Sequence, residues 1–218
     1  MSTLAGFSDW NTQFNELEIP ISISSDTLLS ECYYLISNGG RISLELGIKL
    51  FNHSNLSGIL ALGNLIKKSR YGNYVYFNEN LHVNTTNICI LACRFCAFRK
   101  GPRHSEAYSL NVKDYIKQIM PYSDRIDEIH SVGGLHPEWK IEHYEELYRE
   151  SKKKYPNIMI KSLTAVEIKH IANRSGLSIQ NTLIRLSDAG LDSLPGGGAE
   201  ILVDTVRNRI CRGKESSE

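Results

Sequence analysis

Residues 87–101 read NICILACRFCAFRKG, and three of the chain's five cysteines, Cys89, Cys93 and Cys96, fall inside that stretch. Their spacing is C-x-x-x-C-x-x-C. Thiolates are soft ligands suited to zinc, copper(I) and iron–sulfur clusters. A structural zinc site takes four protein ligands, usually as two pairs. Cys211 or His104 could supply a fourth ligand, but neither sits in a second pair. Three thiolates on a four-iron, four-sulfur cluster would instead leave one iron open to an exogenous ligand. A zinc site and an incidental cluster of core cysteines are the competing readings.

The segments on either side set the fold. YVYF (74–77) and LHVNTTN (81–87) read as strand material, the second running straight into the cysteines. A polar loop, RKGPRHSEAYS, is followed by a helical pattern, NVKDYIKQIMPYS. DEIHSVGG and NIMIKSL read as further strands, each followed by helical patterns: KIEHYEELYRESKKKYP after the first, TAVEIKHIANRSG and SIQNTLIRLSDAG after the second. LDSLPGGGAEI gives a short strand and a glycine-rich loop before the helix VDTVRNRIC. Strands alternating with helices of this length predict βαβ units around a parallel sheet. The cysteines, GGLHP (133–137), TAVE (164–167) and PGGGAE (195–200) each follow a predicted strand. Ligand sites collect at that end of parallel sheets and barrels.

Residues 26–69 carry apolar positions at three- and four-residue spacing and predict helices. The predicted organisation is a helical N-terminal extension, 1–73, followed by an α/β core, 74–218. The chain has 218 residues, 22% of them charged, and a net charge of +1, so it lacks the basic excess expected of a nucleic-acid or anionic-membrane binder. The N-terminus lacks the basic and apolar regions of a secretory signal, and no apolar run approaches the roughly 20 residues of a membrane span. The expected location is therefore the cytoplasm, with free thiols available for metal ligation.

The cysteine segment, with Phe95 just before the third cysteine, resembles the signature of radical S-adenosylmethionine enzymes. HVNTTNICILACRFCAF, SVGGLHPEW, KSLTAVEI and AGLDSLPGGGAEI are similar to the futalosine-pathway and deazaflavin-synthase branch, and most of all to the aminofutalosine synthases of menaquinone biosynthesis. The resemblance covers residues 40–218. It implies Cys89, Cys93 and Cys96 as ligands of a [4Fe-4S] cluster, with S-adenosylmethionine chelated at the open iron as substrate and Phe95 near the adenine. It also implies an external one-electron donor. The implied reaction adds the 5′-deoxyadenosyl radical to the enol ether of 3-[(1-carboxyvinyl)oxy]benzoate. Alternatives are a related futalosine- or deazaflavin-pathway enzyme and a non-catalytic metal-binding remnant.

Within that frame, Gly133 and Gly134 are expected to let backbone approach the methionine moiety, with a plain strand-end turn as the other reading. Glu167 is expected at the ribose hydroxyls, or else as a carboxylate favoured by a helix N-terminus. His136 and Glu200 are the candidate catalytic groups, against structural and loop-capping roles. The basic loop Arg99, Lys100, Arg103 and His104 could attract the anionic substrate or be a solvated charge run. PGGGAE lacks the Lys-Ser/Thr of a P-loop, so nucleoside triphosphate hydrolysis is not supported. The resemblance implies a six-stranded partial barrel, whereas four strand–helix units are counted. This predicts a truncated or split product of impaired activity, with a chain supplying the missing strands as a candidate partner.

Overall fold

The computed structural model describes residues 9–197 and 201–216. Its contacts divide the chain into two compact units, between Phe77 and Asn78.

The first unit is helical: α1 (Trp10–Glu16), α2 (Ile21–Ser24), α3 (Thr27–Ser37), α4 (Leu44–Phe51) and α5 (Leu56–Tyr71). Side-chain caps start the three longest. Asp26 accepts from the Leu29 N–H, Ser43 from Leu46 and Asn55 from Gly58, each satisfying an amide the helix itself leaves unpaired. Phe14, Ile23, Leu29, Cys32, Tyr33, Ile36, Leu46, Leu62 and Leu65 form its core. Gly58 allows the close approach, since a Cβ there would lie 2.3 Å from Leu29 Cδ1 and 2.8 Å from the Ser22 carbonyl.

The predicted strand at 74–77 does not form. Tyr74, Val75, Tyr76 and Phe77 are exposed and outside regular structure. Aromatic and β-branched residues favour a strand only where a ladder and a packed face receive them, and no strand among the described residues pairs with these four.

The second unit holds a parallel sheet of three strands among the described residues: β1 (Asn80–His82), β2 (Glu128–Ser131) and β3 (Met159–Ser162), with β2 central. Leu81 is paired with Ile129, and Ile129 with Ile160. Helix α6 (Val112–Ile119), extended by a 3-10 turn at Met120–Tyr122, links β1 to β2, and α7 (Ile141–Lys154) links β2 to β3. Helices α8 (Ala165–Ser175), α9 (Ile179–Asp188) and α10 (Asp204–Ile210) follow. The predicted fourth strand is reduced to a single parallel bridge between Lys161 and Ser193.

Alternation along the strands separates two faces. Val83, Ile129 and Ile160 join Tyr115, Ile119, Tyr144, Leu147, Tyr148 and Ile171 of the helices in one core. The opposite face carries the in-register row His82, His130 and Lys161. The two imidazoles stack at 4.4 Å, and Lys161 lies 3.4 Å from Glu128. A sheet apolar on one side and polar on the other packs helices on one face only. Among the described residues no helix is long and apolar enough to cross a membrane.

Candidate active site

Beyond β1 the chain is pinned by buried polar side chains. Thr86 Oγ1 donates to the Tyr108 carbonyl at 2.7 Å, Asn87 Nδ2 donates to the Glu106 carbonyl at 2.9 Å, and Asn87 Oδ1 accepts from the Tyr108 N–H at 2.8 Å. The cysteine loop then closes on itself, with Lys100 N–H donating to the Asn87 carbonyl at 2.8 Å and Cys89 N–H to the Lys100 carbonyl at 3.3 Å. Buried polar groups need such partners, so the loop that bears the thiols is anchored at both ends.

The end of β2 lies directly against this loop. Gly134 N–H donates to the Thr86 carbonyl at 2.8 Å, and Ile90 N–H to the Leu135 carbonyl at 3.1 Å. A Cβ at Gly134 would fall 2.1 Å from the Ile88 carbonyl oxygen and 2.9 Å from Cys89 Cβ. One at Gly133 would fall 2.8 Å from Thr85 Oγ1. Glycine is required here because the chain itself fills the space, independently of any ligand.

Glu167 ties in the third strand. Thr164, the N-cap of α8, forms a capping box with it: Thr164 Oγ1 accepts from the Glu167 N–H, and Glu167 Oε2 accepts from the Thr164 N–H. The other oxygen, Oε1, accepts from the Gly133 N–H at 2.8 Å. Burial pushes the carboxyl up to about 7, while the Gly133 and Thr164 donors and nearby Lys214 pull the other way. Gly197, with Thr164 Cβ 2.8 Å from where its own Cβ would stand, is packed against the same cap.

These elements enclose one cavity of about 120 Å³, lined by Cys89, Cys93, Cys96, Phe95, Gly133, Gly134, Glu167 and Lys214, with Leu91, Leu135 and Val166 as apolar walls. Seven of the predicted site residues therefore meet at one place. His136 does not line it. It is buried, stacks on Trp139 at 4.3 Å, and its Nδ1 accepts from the Glu138 N–H at 3.2 Å. His170 Nε2 donates to its carbonyl at 2.8 Å. Glu200 lies outside the described residues. Of the basic loop, Arg99 reaches the cavity and donates to the Cys89 carbonyl, while Lys100 pairs with Glu106.

Two contributors were not predicted as members of the site in these roles. Lys214 is brought in by Arg207, which donates through Nε to the Lys214 carbonyl at 2.6 Å and through Nη1 to the Ile201 carbonyl at 2.8 Å. Its ammonium lies 5.9 Å from the Phe95 ring centre. Nothing in RGKE signals this, because the placement depends on the path of the chain after α10. Cys211 is buried beside Cys93. Burial first, then this thiol contact, pushes the Cys93 thiol up to about 11 against the pull of Lys214.

No three His, Cys, Asp or Glu side chains among the described residues converge closely enough to hold a single metal ion. Three half-buried thiols spread around a shared cavity suit a multi-iron cluster in donor type and number.

The chain belongs to the radical SAM superfamily, whose family model matches residues 83–218. Within it, the chain is 35% identical over 184 residues to aminodeoxyfutalosine synthase of Thermus thermophilus, covering 84% of this chain and 50% of that enzyme. It is 38% identical over 182 residues to cyclic dehypoxanthine futalosine synthase of Halalkalibacterium halodurans, covering 81% and 48%. It is also 33% identical over 217 residues to FO synthase of Mycobacterium tuberculosis, covering 96% and 25%. The chain thus spans about half the length, or less, of these relatives. In fold it resembles methylornithine synthase (PylB), with a TM-score of 0.61 at 13% identity over 84% of this chain and 52% of that one.

Proposed function

We propose that this chain carries the cluster and S-adenosylmethionine site of an aminofutalosine synthase, joining the 5′-deoxyadenosyl group to 3-[(1-carboxyvinyl)oxy]benzoate. The observation that supports this most is the meeting of all three motif thiols with Phe95, Gly134 and Glu167 around one cavity. When bound, a four-iron, four-sulfur cluster supplies the single electron that cleaves a sulfonium carbon–sulfur bond.

Cys89, Cys93 and Cys96 hold that cluster as thiolates, so each proton must leave on loading. Phe95, half exposed, offers a ring face to an adenine. Lys214, on the lining of the cavity, supplies the positive charge for a carboxylate of the bound substrates. Glu167 holds the Gly133 amide and so fixes the gap between the ends of β2 and β3. Leu91, Leu135 and Val166 exclude water on their side of the cavity, which strengthens each charge interaction inside. His136 steadies residues 133–137 through its stack on Trp139. Placement of this kind, with the reacting atoms held in line, is worth up to about 7–11 kcal/mol of barrier.

The second reading is a sister activity of the same branch, favoured by the 38% identity to cyclic dehypoxanthine futalosine synthase. Anaerobic reconstitution tests both. The expected product is a brown protein with about four irons per chain, lost in Cys89→Ala, Cys93→Ala and Cys96→Ala. Under reducing conditions, S-adenosylmethionine plus the enol ether should give aminofutalosine. Turnover of dehypoxanthine futalosine instead selects the sister activity, and absence of iron rejects both.

A further inference from the structure

The four thiols of this unit are arranged as three and one. Cys89, Cys93 and Cys96 face the cavity of the proposed cluster. Cys211, only 4% exposed, does not line that cavity but a separate recess formed by Ala92, Arg94 and residues 208–212. Its placement is fixed by backbone. Arg94 N–H donates to the Ile210 carbonyl at 2.8 Å, so Cys93 and Cys211 are the immediate neighbours of a hydrogen-bonded pair. Gly213, at φ +84°, then turns the chain, and Lys214 lines the cavity. The bond from Arg94 to Ile210 brings Cys211 alongside Cys93, and the Cys211 thiol is one of the groups that push the Cys93 thiol up.

A fourth ligand would have to face the metal together with the other three, and Cys211 does not line that cavity. What it can do is donate. A ligating Cys93 is a thiolate with lone pairs only, and Cys211 carries one S–H beside it. We propose that Cys211 is a positioning residue that donates a hydrogen bond to the Cys93 sulfur and thereby raises the reduction potential of the cluster. The inference rests on the cluster site of the proposed function. One-electron reduction places more negative charge on the cluster and its thiolates. A donor to a ligand sulfur stabilises that charge more in the reduced than in the oxidised state. In a half-buried, low-dielectric setting the difference is larger than in water.

The test uses the full chain, reconstituted anaerobically, as wild type, Cys211→Ala and Cys211→Ser. Iron and sulfide content are measured beside the midpoint potential from an EPR-monitored redox titration. All three proteins should hold the same iron per chain. The midpoint of Cys211→Ala should shift to more negative values, and Cys211→Ser, whose hydroxyl restores a donor, should return to the wild-type value or above it. An unshifted Cys211→Ala at full iron content overturns the inference alone. Loss of iron in both variants also overturns it, and makes Cys211 a ligand. Loss in Cys211→Ala with retention in Cys211→Ser makes it a structural residue. A wild type that takes up no iron rejects the proposed function and this inference with it.

Discussion

Glu167 accepts the Gly133 amide at 2.8 Å, and that bond joins the first turn of α8 to the chain leaving β2. The carboxyl is raised to about 7, first by burial. Between about pH 4.5 and 7 the folded chain therefore keeps a proton that the unfolded chain has released. Stability falls as pH climbs through that window and levels off above it. The full effect is about 3 kcal/mol at most. Urea unfolding of cluster-free protein at pH 5 and pH 8 should show this fall. In Glu167→Gln it should vanish, with overall stability lower by about 1–3 kcal/mol because an NH₂ now faces a backbone donor. A variant that retains the wild-type slope would assign it to another group.

Much of this site was legible because its parts sit in short runs. C-x-x-x-C-x-x-C, GG and TAVE each follow a strand end, and parallel topology carries strand ends to one side. The capping box at Thr164 and Glu167 can be read from four letters. Lys214 was out of reach, and Cys211 could be weighed only as a fourth ligand: their places depend on how residues 201–214 cross back over the cysteine loop, held by Arg207 and by the bond from Arg94 to Ile210. The strand expected at Tyr74–Phe77 failed for the converse reason. Local propensity was strong, but no neighbour was there to complete a ladder.

Gly134 offers a test of packing around the thiols. Alanine there would place Cβ 2.1 Å from a backbone oxygen, an atom that cannot swing aside. Overpacking of this kind costs about 1–3 kcal/mol, and the displaced Ile88–Cys89 backbone would lower iron uptake. Gly63 in α5 is the control: nothing lies within 4 Å of where its Cβ would stand, so Gly63→Ala should stabilise by about 0.5–1 kcal/mol. Denaturant midpoints and iron content of the two variants decide the matter. Equal behaviour would mean that the end of β2 yields easily.

Arg185 of α9 clamps Glu145 of α7 through two bonds, Nε at 2.8 Å and Nη2 at 2.9 Å. Glu145 is buried, and its pKa is lowered chiefly by this guanidinium. The contribution to stability is therefore present above about pH 4.5, the ordinary carboxylate value, and is lost as pH falls through the lowered one. Arg185 is 38% exposed in its side chain, so solvent screens part of the attraction. Arg185→Ala should lower stability at pH 7, and by less near pH 3. Thermal unfolding across that range should show the two proteins converging in acid; a constant gap would point to lost packing of the arginine stem instead.

Lys214 lines the cavity with Cys93, Phe95 and Glu167, and under the proposed function it is the counter-charge for a substrate carboxylate. It acts on both neighbours at once, drawing the Cys93 and Glu167 pKa values down against the push of burial. Lys214→Gln removes the charge while keeping most of the side chain's length. Reconstituted Lys214→Gln should bind S-adenosylmethionine about tenfold more weakly, roughly 1.4 kcal/mol, if its methionyl carboxylate is the partner. If the lysine instead holds the carboxylate of the second substrate, the affinity for S-adenosylmethionine stays and the KM for the enol ether rises. Lys214→Arg should restore most of whichever property was lost, since the charge returns even though the shape differs. Unchanged binding of both in the glutamine variant would assign Lys214 to the surface of the cavity and leave the anion to Arg99, the other cation on its lining.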